Sequence, residues 1–118
     1  RSQTVTGVQT CALPIWLAIA RALYRDPEIL ILDEASSNLD ADAESYVKQT
    51  IRSLKDQGKT VILIAHRLSS LSVADHIVVL EKGKHLEEGS HEQLFAAKGR
   101  YYEMWQKQMP RYIEAKSQ

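Results

Sequence analysis

The sequence is poor in residues that cross-link or punctuate a chain: one Cys, three Pro and five Gly in 118 residues. A single cysteine, Cys11, excludes an internal disulfide framework. Neither sign of charge is in excess, since fifteen Lys and Arg balance fifteen Asp and Glu. That balance excludes a basic face built to neutralise phosphates, so nucleic acid is not an expected partner. No apolar run reaches the ~20 residues that span a bilayer. The greasiest stretch, CALPIWLAIARAL, is interrupted by Pro14 and ends at Arg21. The N-terminus lacks the charged-then-apolar layout of a signal peptide, and none is expected. What remains is 44% hydrophobic and 25% charged, the composition of a soluble globular protein with the length of one small domain.

Residues 17–24 predict a short helix with Ile19, Ala22 and Leu23 on one face, stopped by Pro27. The run EILILD (28–33) is apolar without alternation, the pattern of a strand buried on both faces. SSNLD (36–40) is a polar turn, and Asp40 is placed to cap a helix that runs to about Gln57. Ala43, Val47, Ile51 and Leu54 form its apolar stripe, and Gly58 is its stop. TVILIA (60–65) predicts a second apolar strand. Strand, helix and strand with short links make a right-handed βαβ unit with two parallel strands. HIVVLE (76–81) and KHLEE (84–88) flank Lys82-Gly83, which predicts a hairpin. Ser90 and Gln93 fit a capping box that opens a helix through Ala97. Gly99 precedes a last helix with Tyr101, Tyr102, Met104 and Trp105, and Pro110 is expected to end the ordered region.

Ligands of parallel α/β sheets bind beyond the carboxyl ends of the strands. Asp33 and Glu34 stand at such an end, where one carboxylate could hold a divalent cation and the other activate water. His66 ends the second strand and so falls at the same edge. His76, His85 and His91 have no such placement and read as surface residues. SLKDQGKT (53–60) comes close to the phosphate-binding pattern G-x-x-x-x-G-K-[ST], with Ser53 in place of the first glycine. That pattern must follow a strand and open a helix. Here the order is reversed, which leaves Lys59 as a solvated turn residue.

LAIARAL, ILILDEASSNLD and VILIAHRLS together resemble the C-terminal half of an ATP-binding cassette (ABC) ATPase domain. ADHIVVLEKGKHLEEGSHEQLFAAKGRYYEMWQKQ is similar to the tail of the exporter branch, usually fused behind a transmembrane domain. The resemblance covers residues 17 to about 109 and implies a partial P-loop NTPase-type α/β fold. Two parallel core strands and a C-terminal hairpin would carry flanking helices. It implies ATP as ligand, with Mg2+, and an ATP-hydrolysing enzyme coupled to export. ILILDE matches the Walker B motif, so Asp33 would help hold Mg2+ and Glu34 would polarise the attacking water. SSNLD matches the D-loop, so Ser37 and Asp40 would face a second nucleotide-binding domain. His66 matches the switch histidine that meets the γ-phosphate. The implied partners are that second cassette and a transmembrane domain, at the cytoplasmic face of a membrane.

The sequence also departs from the family. It has no phosphate-cradling glycine loop, no glutamine loop and no LSGGQ signature. The signature would fall at residues 9–13, where QTCAL stands, and Trp16 takes the place of the usual arginine. VTGVQTCALPI (5–15) resembles the conceptual translation of a sequencing adapter, so residues 1–16 are expected to be non-native and disordered. Residues 17–110 would be the cassette segment and 111–118 a tail. By the resemblance, a glycine-loop strand normally lies between the His66 strand and the 76–81 strand. Its loss predicts a gap in the sheet, exposed apolar edges and, for the 118-residue chain alone, marginal stability and little or no ATP binding. The alternative functions are a soluble ABC-type ATPase of DNA repair, chromosome organisation or translation, and a non-catalytic interaction module. The neutral charge and exporter-like tail oppose the first, and the retained Asp33, Glu34 and His66 oppose the second.

Overall fold

The computed structural model describes residues 15–33 and 41–116. The chain divides into two compact units, residues 1–66 and 67–118.

The first unit carries α1 (Ile15–Leu23), β1 (Ile29–Asp33), α2 (Ala41–Asp56) and β2 (Thr60–Ile64). β1 and β2 pair in parallel, with Ile29 opposite Thr60 and Asp33 opposite Ile64. This is the βαβ unit the apolar runs predict. Ala18 and Ile19 of α1, Leu30 and Leu32 of β1, and Val47, Ile51 and Leu54 of α2 are buried. The expectation of strands buried on both faces is corrected. Ile29, Ile31, Ile62 and Ile64 are each about half exposed, at 58%, 51%, 46% and 46%. A parallel sheet needs cover on both faces, and among the described residues only one face of this sheet is buried.

α2 ends because Gly58 adopts φ +82. The Gly58 amide donates to the Lys55 carbonyl at 2.9 Å, and the Lys59 amide to the Leu54 carbonyl at 3.0 Å. This pair of bonds is a Schellman closure, which satisfies the last carbonyls and turns the chain into β2. A side chain at position 58 meets no neighbour within 4 Å, so the cost of adding one is conformational. Gly58→Ala is expected to destabilise the first unit by about 1 kcal/mol, read as a lower urea midpoint with an unchanged slope. Lys59 is not solvated as expected. Its side chain is mostly buried, and its ammonium lies 2.7 Å from the Asp26 carboxylate.

The second unit begins with a 3-10 helix (Leu68–Val73), followed by the antiparallel hairpin β3 (Ile77–Glu81) and β4 (Lys84–Gly89). Lys82 (φ 52) and Gly83 (φ 74) make its two-residue turn. Two positive φ values in succession define a type I′ turn, whose twist suits a hairpin. Val79 pairs with Glu87 but Leu80 pairs with His85, so Leu86 is an extra residue, a bulge in β4. The described strands form two sheets of two, β1 with β2 and β3 with β4. Three helices follow: α3 (His91–Ala97), α4 (Arg100–Gln108) and α5 (Pro110–Lys116). The capping box at α3 is formed as predicted. Ser90 Oγ accepts from the Gln93 amide at 3.2 Å, and Gln93 Oε1 accepts from the Ser90 amide at 2.9 Å. Pro110 opens a helix rather than ending order, because proline suits the first helical position, where its missing N–H costs nothing.

Leu68, Ile77, Val79, Leu94, Tyr101 and Trp105 form the core of this unit. Two carboxylates fix the start of α4 against the hairpin. Glu87 accepts from the Tyr101 amide at 2.9 Å, and Glu81 accepts from Arg100 Nε at 2.8 Å. A carboxylate near a helix N-terminus meets free amides and the positive end of the helix dipole. The Arg100 hydrogen bond, then its charge, holds the Glu81 carboxyl below its ordinary range. A depressed carboxyl pKa contributes stability above the unfolded value, and that contribution is lost as pH falls through the folded one. Arg100→Ala is therefore expected to move the Glu81 titration upward, as followed by carboxyl NMR.

Candidate functional site

Asp33 is the last residue of β1 and is exposed. Its register partner is Ile64, the last residue of β2, and His66 follows two residues later, also exposed. Parallel pairing thus places the Asp33 carboxylate and the His66 imidazole at one edge, the carboxyl edge, as the sequence predicts. The local reason is the length match of the two apolar runs. Each gives a five-residue strand, paired end to end without slippage. The other predicted site residues, Glu34, Ser37 and Asp40, lie outside the described residues.

The remaining histidines separate into two kinds. His76 and His85 are exposed, as expected. His91 is not a plain surface residue. It is half-buried, and its Nδ1 shares a 3.0 Å hydrogen bond with the Tyr101 hydroxyl. Its ring lies edge-on to Trp105, with centroids 5.3 Å apart, and is tilted against Phe95 at 5.5 Å. No local sequence signal marks it, because the Tyr101 hydroxyl and the Trp105 ring that it meets come from the next helix. Among the described residues no helix is long and apolar enough to cross a membrane.

A βαβ unit with an acid and an imidazole at its carboxyl edge places the chain among α/β proteins that bind ligands at that edge. No family model matches the chain. Over 92 residues, 78% of its length, it is 52% identical to P-glycoprotein 14 of Caenorhabditis elegans, of which it spans 7%. Over a stretch of the same length it is 51% identical to an ATP-dependent lipid A-core flippase of Syntrophus aciditrophicus, of which it spans 15%. Its structure is similar to that of a bacterial Atm1-family ABC exporter with ATP bound. The TM-score there is 0.74 and the identity 42%, over 80% of this chain and 16% of that one. The chain belongs to the ABC exporter family, and it spans only a small part of the length of these relatives.

Proposed function

We propose that this chain is part of the ATP-hydrolysing domain of a longer exporter, and that the β1–β2 carboxyl edge is where it meets Mg-ATP. The observation that supports this is the placement of Asp33 and His66 at one sheet edge, in a chain about half identical to exporters. Asp33 is a hard oxygen donor in an exposed position, which suits Mg2+, an ion that keeps several of its waters. When bound, Mg2+ would neutralise charge on the phosphates. Glu34 follows directly and serves as the group that orients and polarises water. His66 donates a hydrogen bond toward the terminal phosphate. Ser37 and Asp40 face a second nucleotide-binding domain, and a transmembrane domain carries the substrate. The site then works at the cytoplasmic face of the membrane.

The test is made on the longer protein. Asp33→Asn keeps the shape and removes the charge. It is expected to raise the Mg2+ concentration for half-maximal ATPase about tenfold, the equivalent of one charged contact of about 1.4 kcal/mol. Unchanged Mg2+ dependence would remove Asp33 from the site.

A further inference from the structure

The ion pair between Lys59 and Asp26 touches none of the residues assigned to Mg-ATP, but it stands at the opposite end of the same two strands. Asp26 lies in the turn from α1 into β1, and Lys59 in the turn from α2 into β2. Both turns are pinned. The Asp26 amide donates to the Leu23 carbonyl at 2.8 Å. Asp26 itself is in the left-handed region, at φ 49, which aspartate tolerates better than most residues. The Lys59 amide closes α2, and the Thr60 amide donates to the Glu28 carbonyl at 3.0 Å, just before the first paired residues Ile29 and Thr60. Across this end the Lys59 ammonium meets the Asp26 carboxylate at 2.7 Å. The Lys59 side chain is 13% exposed and that of Asp26 84% exposed.

The side chains of the ladder do not by themselves select one register. A slip by one residue would turn Leu30 and Leu32 out of the core, and burial opposes it. A slip by two keeps every face. It would set Ile29 opposite Ile62, Leu30 opposite Leu63 and Ile31 opposite Ile64, aliphatic against aliphatic throughout. Such a slip moves one strand by about 6.6 Å, two steps of about 3.3 Å, and carries the carboxyl edge with it. His66 would then come level with Asp33 instead of lying two residues beyond its partner Ile64. A contact of 2.7 Å does not survive a displacement of that size. We propose that Lys59 is a positioning residue for the carboxyl edge: its bond to Asp26 clamps β1 and β2 in register and so sets where His66 stands relative to Asp33. The bearing of that spacing on ATP hydrolysis rests on the function proposed above. With Asp26 well exposed, water screens the pair, so its contribution to stability is small and its effect is on geometry. Neutralising Lys59 leaves Asp26 in water, whereas neutralising Asp26 would leave a mostly buried ammonium without its counter-charge.

The experiment is made on the longer exporter, with spin labels at Arg25→Cys and Gln57→Cys in a background without other cysteines. Both positions are exposed and lie in the two turns that the ion pair ties. Electron paramagnetic resonance should give one narrow distance distribution for the parent. Lys59→Met keeps the apolar stem and should broaden it; Lys59→Arg keeps the charge and should restore it. In the same variants kcat for ATP should fall about tenfold or more with Lys59→Met and recover with Lys59→Arg, with little change in KM. Ile51→Val trims the buried stripe of α2 without touching the pair, and should leave both the distribution and kcat as in the parent. A narrow distribution in Lys59→Met, no recovery in Lys59→Arg, or equal broadening in Ile51→Val would overturn the proposal. A broadened distribution with turnover at the parental rate leaves the clamp in place and removes ATP hydrolysis from this edge.

Discussion

Replacing Glu34 with Gln in the full-length exporter is expected to stop ATP turnover while leaving ATP bound. The substitution preserves size and one hydrogen-bonding oxygen, and it removes the charge that would draw a proton from water. Loss of a positioned base costs about 10²–10⁴ in rate. Phosphoryl transfer depends mainly on positioning and charge neutralisation, so nucleotide affinity should change little. The measurement is steady-state ATPase beside equilibrium nucleotide binding on the same preparation. Turnover at the parental rate would withdraw the role given to Glu34. Equal loss of binding and turnover would reassign it to holding the nucleotide.

The second large effect concerns the α3–α4 unit. Tyr101 is 1% exposed. It shares the hydrogen bond with His91 and lies edge-on to Trp105, with centroids 6.3 Å apart. Tyr101→Ala removes a whole ring from this packing and is expected to cost about 3–5 kcal/mol, as for other buried aromatics cut to alanine. A unit of this size has little more than that in total. Amide hydrogen exchange should therefore show β3, β4 and α4 losing protection together. Tyr101→Phe keeps the ring and loses only the hydroxyl, at about 1 kcal/mol. If the two variants lose protection equally, the hydrogen bond rather than the ring holds the unit.

Local pattern carried much of the fold. The stripe Val47, Ile51 and Leu54 is buried, and Lys82-Gly83 and Ser90–Gln93 formed the turn and cap that their chemistry demands. Where the sequence misled, the missing information was tertiary. An unbroken apolar run does not say which face is covered, so β1 and β2 read as two-sided although one face is half exposed. Lys59 read as solvated because its partner, Asp26, lies on the far side of β1 and α2 in the chain. His91 read as surface because the hydroxyl it meets is ten residues on. Pro110 is a stop when approached from within a helix and a start when it leads one. The shared edge of Asp33 and His66 was legible because two apolar runs of equal length, joined by one helix, pair in parallel without stagger.

The half-exposed isoleucines of β1 and β2 bear on how the chain behaves in a test tube. Four β-branched side chains on one short two-stranded ribbon, two on each strand, make a surface that water tolerates poorly. Strands of this kind offer themselves to other strands, and among the described residues neither β1 nor β2 has a second pairing partner. Handled by itself, the chain should be hard to concentrate and prone to inclusion bodies. The yield of soluble material, more than any intrinsic folding rate, would then set the limit on work with it.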